Sequence, residues 1–231
     1  MTRFGQVTRG AIRAIPVSKE RTPMYTPPAF RDDDRDALCA LMRAAPFANL
    51  VTATAAGVEC TPLPLWLDPE EGPLGTLYGH VARANPHWRA VAVGETLAIF
   101  SGPDAYVSPG WYATKQETGK VVPTWNYLTV HARGPVEFFE DADRLLDVVT
   151  RLTDSHEAGR AAPWAVSDAP ESFIRAQLRG IVGLRLPIAT LEGKRKMSQN
   201  RSPSDREGVA AGLSQSESPG DRAVGGLVPL A

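Results

Sequence analysis

Leu77-Tyr-Gly-His80-Val-Ala-Arg83-Ala-Asn85-Pro86-His87-Trp88 is where a strand runs into the start of a helix. Leu77, Gly79 and Val81 share one strand face, and Tyr78 and His80 share the other. Asn85 is a favourable N-cap, and Pro86 suits the first helical position. Trp88, Val91 and Ala92 then supply an apolar stripe, which predicts a short helix over 86–93. Such a junction exposes unpaired backbone N–H groups, and the helix dipole favours an anion there. His80 and Arg83 add side-chain donors at the same place. The junction therefore reads as a phosphate pocket for a nucleotide or cofactor. It reads equally as a capped connection bearing a surface arginine.

Upstream, Asp32, Asp33 and Asp34 precede a helical spacing of Leu38, Leu41, Met42 and Ala45, which Pro46 ends. Segments 47–54 and 58–65 flank Ala56-Gly57 as a hairpin, its second strand placed at an edge or bend by Pro62 and Pro64. Downstream, 96–101 is an apolar run suited to a barrel interior, and Gly102-Pro103-Asp104 turns the chain into 105–108. A polar loop precedes a long strand over 122–138, bent at Gly134-Pro135. Helices are expected over 144–157 and 170–179, a strand over 180–188, and a short helix capped by Asp205. Six or seven strands with few βαβ units predict an α+β chain with a mainly antiparallel barrel.

The two ends differ in composition. Residues 1–23 hold Arg3, Arg9, Arg13, Lys19 and Arg21 against the single acid Glu20, without a sustained apolar run. This reads as a disordered basic extension rather than a secretory signal, with a DNA-touching arm as the alternative. One domain is expected over 24–215, then a Ser/Gly/Pro-rich flexible tail over 216–231.

The 231 residues suffice for one sizeable core, and a net charge of −1 gives no global field toward nucleic acid or membrane. Cys39 and Cys60 lack metal-type spacing and suggest no disulfide framework, which fits a reducing cytoplasm. No apolar run approaches the roughly 18 residues of a membrane span. GxGxxG, Walker, HExxH and Gly-x-Ser-x-Gly patterns are absent. The four histidines, His80, His87, His131 and His156, include no pair at chelating helical spacing, so no metal site is expected. His131 sits in a strand and reads as satisfying a core or interface hydrogen bond.

Two further clusters carry chemistry. Lys194, Arg195, Lys196 and Arg201 place four cations in eight residues, a solvated face or a set of phosphate contacts. Tyr106, Trp111, Tyr112, Trp125 and Tyr127 are aromatics beside prolines, suited to a core, a dimer interface or stacking on a flat ring.

Taken together, Met24-Tyr-x-Pro…Phe30, Gly-His80-Val-Ala-Arg83-Ala-Asn85-Pro86-x-Trp88, Phe100-x-Gly-Pro-x-Ala-Tyr106-Val-Ser-Pro109-x-Trp-Tyr112, Val-Pro-Thr-Trp125-Asn126-Tyr127, Arg179-Gly-Ile-Val-Gly183 and Leu191-Glu-Gly-Lys194-x-Lys196-x-Ser-Gln-Asn-Arg201 resemble the PaiB-type FMN-binding negative transcriptional regulators. The resemblance runs from Met24 to about residue 215. Gly110 and Arg195 depart from the residues usual there. The resemblance implies a split β-barrel of the pyridoxamine-phosphate-oxidase-like type, a homodimer, and FMN in a groove between subunits. It implies phosphate contacts at His80, Arg83, Ala84 and Asn85. It further implies groove contacts among Trp111, Tyr112, Trp125, Asn126, Lys196, Gln199 and Arg201. Repression of bacterial genes is also implied, although no helix-turn-helix is evident. Three alternatives stand beside this regulator: an FMN-dependent oxidoreductase, a haem-binding or haem-degrading relative with a histidine ligand, and a dimeric module without cofactor.

Overall fold

The structure, a computed structural model, describes residues 22–230, so most of the expected N-terminal extension lies outside the described residues. The chain runs through β1 (Arg31–Asp32), α1 (Arg35–Ala44), β2 (Phe47–Thr54), β3 (Gly57–Pro64), β4 (Trp66–Asp68), β5 (Thr76–Ala82) and β6 (Thr96–Val107). It continues through α2 (Ala113–Thr118), β7 (Thr124–Gly134), β8 (Glu137–Phe139), α3 (Ala142–Glu157), α4 (Glu171–Leu178) and β9 (Ile181–Pro187). The last elements are β10 (Thr190–Lys196), α5 (Pro203–Ser214) and α6 (Pro219–Gly225).

The strands form two antiparallel sheets, a six-stranded one in the order β1-β10-β7-β6-β2-β3 and a four-stranded one in the order β4-β5-β9-β8. This is the expected α+β, split-barrel class of fold. The two sheets share a core in which Leu50, Phe100 and Val130 of the larger join Leu77, Val182 and Leu184 of the smaller. Gly134 marks where the chain leaves one sheet for the other. A Cβ there would lie 1.9 Å from the Pro187 carbonyl oxygen, so only glycine permits the crossing. The expected long strand over 122–138 is thereby divided, with β7 in the larger sheet and β8 in the smaller.

Helix α1 begins at Asp34, whose carboxylate accepts from the N–H groups of Asp36 and Ala37 at 3.0 and 3.3 Å. It buries Leu38, Cys39 and Met42 on the barrel core. Leu145, Val148 and Leu152 of α3 and Leu178 of α4 cover the smaller sheet, packing on Trp66 and Tyr78. Val209 and Leu213 of α5 join Val224 of α6, Val107 and Met197 in a third cluster at the far end of the larger sheet.

Four expectations are corrected. The helix expected over 86–93 is a single 3-10 turn, Pro86–Arg89. Beyond it Ala92 bridges Thr54 and the Val93 N–H bonds to the Ala53 carbonyl at 2.7 Å, which pulls the chain extended and leaves Val91 exposed. The turn expected at 102–104 is an irregularity within the 12-residue β6, where pairing with β7 shifts register between Ser101 and Asp104. The tail expected to be flexible holds α6, capped by Ser218, with Val224 and Val228 buried. Asp205 does not cap α5. Ser202 does, and Asp205 stands in the first turn.

Candidate functional site

The junction after β5 is built by hydrogen bonds that the protein makes to itself. The Arg83 N–H donates to the Gly180 carbonyl at 2.8 Å, and its Nε donates to the Arg179 carbonyl at 2.7 Å. Nη2 reaches the Ile181 carbonyl at 3.3 Å, and Nη1 pairs with the Glu140 carboxylate. The guanidinium thus clasps the start of β9 to the end of β5. Asn85 caps the 3-10 turn by accepting from the His87 N–H at 3.0 Å, and its amide donates to Thr61 Oγ1 at 3.1 Å. His87, fully buried, spans Thr61 and Thr52 at 2.8 Å on each ring nitrogen, and Thr52 meets Thr96 at 2.9 Å. Burial lowers the His87 pKa, against a smaller opposing pull from Glu59, which favours the neutral ring between these hydroxyls.

His80 shares a strand face with Tyr78, the face on which α3 packs, rather than the barrel core of Leu77 and Val81. Its pKa is lowered by burial, and its Nδ1 has no partner among the described residues. Ala84 is exposed and contributes no polar side chain. A four-residue 3-10 turn stacks few peptide dipoles, so the anion-attracting helix end expected here is absent.

The corner between β10 and α5 is built otherwise. Strand alternation puts Lys194 and Lys196 on one face of β10, opposite Thr129 and Tyr127 of β7. The chain then turns at Ser198, which adopts φ 61°. Gln199 braces that turn by accepting from the Met197 N–H at 2.7 Å and donating to the Arg195 carbonyl. Its amide is therefore spent on the backbone. Thr124, Asn126, Lys196, Ser198, Asn200 and Arg201 line a pocket of about 130 Å³, with Phe30 at its edge. Fully buried Asn126 bonds Ser198 Oγ at 3.0 Å, and Lys196 Nζ donates to Thr124 Oγ1 and the Trp125 carbonyl.

The electrostatics of this corner set it apart. Among the described residues, none of Lys194, Arg195, Lys196 and Arg201 takes part in an ion pair. Lys194 is 8 % exposed, its ammonium held by the Tyr25 carbonyl at 3.1 Å and by the faces of Tyr25 and Tyr127. Burial, reinforced by Lys194 and Arg201, lowers the Lys196 pKa. Asp205 is committed elsewhere, accepting from the Thr114 N–H at 2.9 Å and its hydroxyl at 2.8 Å. Burial raises its pKa, but the bonds from Thr114 and Ser202 outweigh this and hold it below the ordinary value. The result is a half-buried positive pocket whose cations make no ion pair among the described residues, with the Asp205 carboxylate acting on Arg201 through the field rather than by contact, a donor set suited to a phosphate group.

The predicted aromatics divide. Trp125, 52 % exposed, lies edge-on to Tyr106 at 6.3 Å. It borders a shallow cleft of about 430 Å³ with Tyr127, Thr129 and Asp104. Tyr112 is buried with Arg201 stacked 4.8 Å from its ring centre. Trp111 packs where Cβ atoms on Gly208 and Gly212 of α5 would sit, so it seats that helix. Of the eleven predicted residues, then, Asn126, Lys196 and Arg201 share one pocket and Trp125 adjoins it, whereas His80, Arg83, Ala84 and Asn85 lie at the exit of β5, outside that pocket. Thr124, Ser198 and Asn200, which flank the cations and aromatics within the same motifs, join that pocket without having been among the expected contacts. The Nδ1 of His131 has no partner among the described residues of the single chain. No group of three or more metal-type ligands occurs among the described residues.

The fold is that of a split-barrel protein. The chain belongs to the family described as "Putative FMN-binding domain", whose sequence pattern matches residues 24–190. It is 30 % identical over 197 residues to the Bacillus subtilis protein "Protease synthase and sporulation protein PAI 2", covering 85 % of this chain and 92 % of that one. An uncharacterized protein of Aspergillus fumigatus is 37 % identical across 60 % of this chain, a match that covers 66 % of that protein's length. Relatives thus occur in fungi as well as in a bacterium. Among solved structures, the "FAD and Heme binding protein from Mycobacterium smegmatis" superposes with a TM-score of 0.53 at 18 % identity, covering 72 % of this chain and 73 % of that one. At that identity the likeness is one of fold. No helix among the described residues is long and apolar enough to cross a membrane.

Proposed function

We propose that this protein binds FMN by its 5′-phosphate at the β10–α5 corner and acts as a homodimeric regulator of the PaiB type. The observation that carries the reading is the pair Lys196 and Arg201, two cations that form no ion pair among the described residues, around a pocket lined by Asn126 and Ser198. A volume of about 130 Å³ accepts a phosphate but not a flavin ring. The ring therefore belongs outside it, and exposed Trp125 with Tyr127 supplies an apolar surface beside the pocket. Bound FMN would supply electron-transfer chemistry, and the protein's part is to bind and orient it. Subunit pairing is supported by Phe47, Tyr106 and Trp125, which leave 65 %, 48 % and 52 % of their surface exposed on the larger sheet. The regulatory role is supported by the name of the Bacillus subtilis relative.

The purified protein should absorb near ~450 nm and release FMN on denaturation. A Soret band instead would overturn the flavin reading in favour of haem. Apo-protein should prefer FMN to riboflavin by at least about tenfold, the effect of ~1.4 kcal/mol. Equal affinities would remove the phosphate assignment. Direct repression requires a DNA complex that weakens steeply with salt. A dimer that shifts no promoter fragment at low salt would reject it.

A further inference from the structure

We propose that the cleft between α3 and α4 is a second small-molecule site, separate from the cationic corner, and that it takes an apolar amine. The cleft measures about 600 Å³, within the roughly 300–1,000 Å³ of sites that hold small organic ligands. Leu146 of α3 and Ile174 and Leu178 of α4 line it, and Val166 closes one side from the turn at Val166–Asp168. Leu146 and Ile174 are only partly buried, so apolar surface remains uncovered between two helices otherwise packed on the sheet. The cleft opens to solvent along its Asp154, Ser167 and Glu171 side, which gives a ligand access.

The charge around the cleft selects the ligand. Arg175, the one cation in its lining, is consumed by Glu171 at 2.9 Å and by Asp143 at 4.0 Å. Asp154 also lines the cleft, and it has no ion-pair partner among the described residues. The unbalanced charge is negative. A compact apolar body with a protonated amine complements an apolar cleft beside one free carboxylate, and a carboxylic acid of the same shape does not.

The test titrates the full-length protein by calorimetry with 4-phenylbutylamine, 4-phenylbutanol and 4-phenylbutyrate. The amine is expected to bind with saturation and tighter than the alcohol, and the acid most weakly. Asp154→Asn should weaken the amine by about fivefold and leave the alcohol unchanged. Ile174→Trp, which fills the cleft, should abolish binding of both. Val166→Trp fills it from the turn and serves if Ile174→Trp lowers the melting temperature. The proposal is overturned by wild-type protein that binds none of the probes, by an acid that binds as well as the amine, or by amine binding that survives both tryptophan variants. A change of oligomeric mass in those variants would also overturn it, because the cleft would then be a contact between subunits. FMN affinity should be equal in wild type and Ile174→Trp, so failure here stays distinct from failure at the cationic corner.

Discussion

Two strand exits carry cations: Arg83 after β5, and Lys196 with Arg201 before α5. Both are followed by a capped turn and both contain hydrogen-bonding side chains. At the first, Glu140 and the carbonyls of Arg179 and Ile181 take up the guanidinium. At the second, hydroxyl, carbonyl and ring partners hold the cations in place, and none of these neutralises charge. Donors define a phosphate site only when the fold leaves their charge unspent, because a desolvated cation without a counter-charge is stabilised by an incoming anion.

The sharpest way to break this contrast is to remove the unspent charge. The double variant Lys196→Ala/Arg201→Ala should lower FMN affinity by about 100-fold or more, since two charge-assisted contacts of roughly 1.5–3 kcal/mol each are lost. Quenching of FMN fluorescence on titration reads the effect. Riboflavin affinity should change far less. If both ligands weaken alike, the corner holds the ring or the fold and not the phosphate.

The other side of the comparison predicts a loss of stability with little loss of binding. His87→Ala removes two buried bonds and leaves Thr61 held only by Asn85 and Thr52 only by Thr96, which should cost about 2 kcal/mol in a denaturant titration. The pH dependence follows from the lowered pKa values of His80, His87 and His131, each caused first by burial. A folded-state pKa below the unfolded value of about 6.5 means the unfolded chain takes up protons first. This stability is therefore complete above about pH 6.5 and is lost as pH falls toward the folded-state pKa. The melting temperature should drop between about pH 7 and pH 5, and His87→Ala should flatten that slope. A wild-type profile level across this window would mean that the three rings titrate alike in both states.

The architecture was legible where local chemistry is self-sufficient. Ala56-Gly57 between alternating strands, Asp34 before an amphipathic run, and the apolar 96–101 all fold as their patterns require. It was not legible where distant partners decide. Pro86 and Asn85 promise a helix, but the bridge from Ala92 to Thr54 of β2 halts it after one turn. Lys194–Arg201 looked like a charge run because β10 has polar residues on one face and Gly193 on the other, where Leu38 of α1 approaches. Arg83 announced itself as a donor, but Glu140 lies 57 residues away and no spacing rule links them. The Ser/Gly/Pro-rich end concealed α6 because its buried residues, Val224 and Val228, are too few to form a periodic stripe.

Arg83→Ala is the smallest effect and the most discriminating one. Its ion pair with Glu140 is exposed, with 38 % and 53 % of the two side chains accessible, and such pairs contribute about 0–1 kcal/mol. Loss of the bonds to the Arg179 and Ile181 carbonyls raises the expected total to about 1–2 kcal/mol and no further, because those carbonyls regain water on deletion. Glu140→Gln should reproduce the smaller, ion-pair part of that loss. FMN affinity should stay within about twofold of wild type in both variants, a difference below ~0.5 kcal/mol. If Arg83→Ala instead weakens FMN as much as removal of Lys196 does, the guanidinium must leave Glu140 for the phosphate. In that case Glu140→Gln should tighten FMN binding, because it frees Arg83 from its internal partner. The paired measurement thus distinguishes a clasp between β5 and β9 from a ligand group held in reserve.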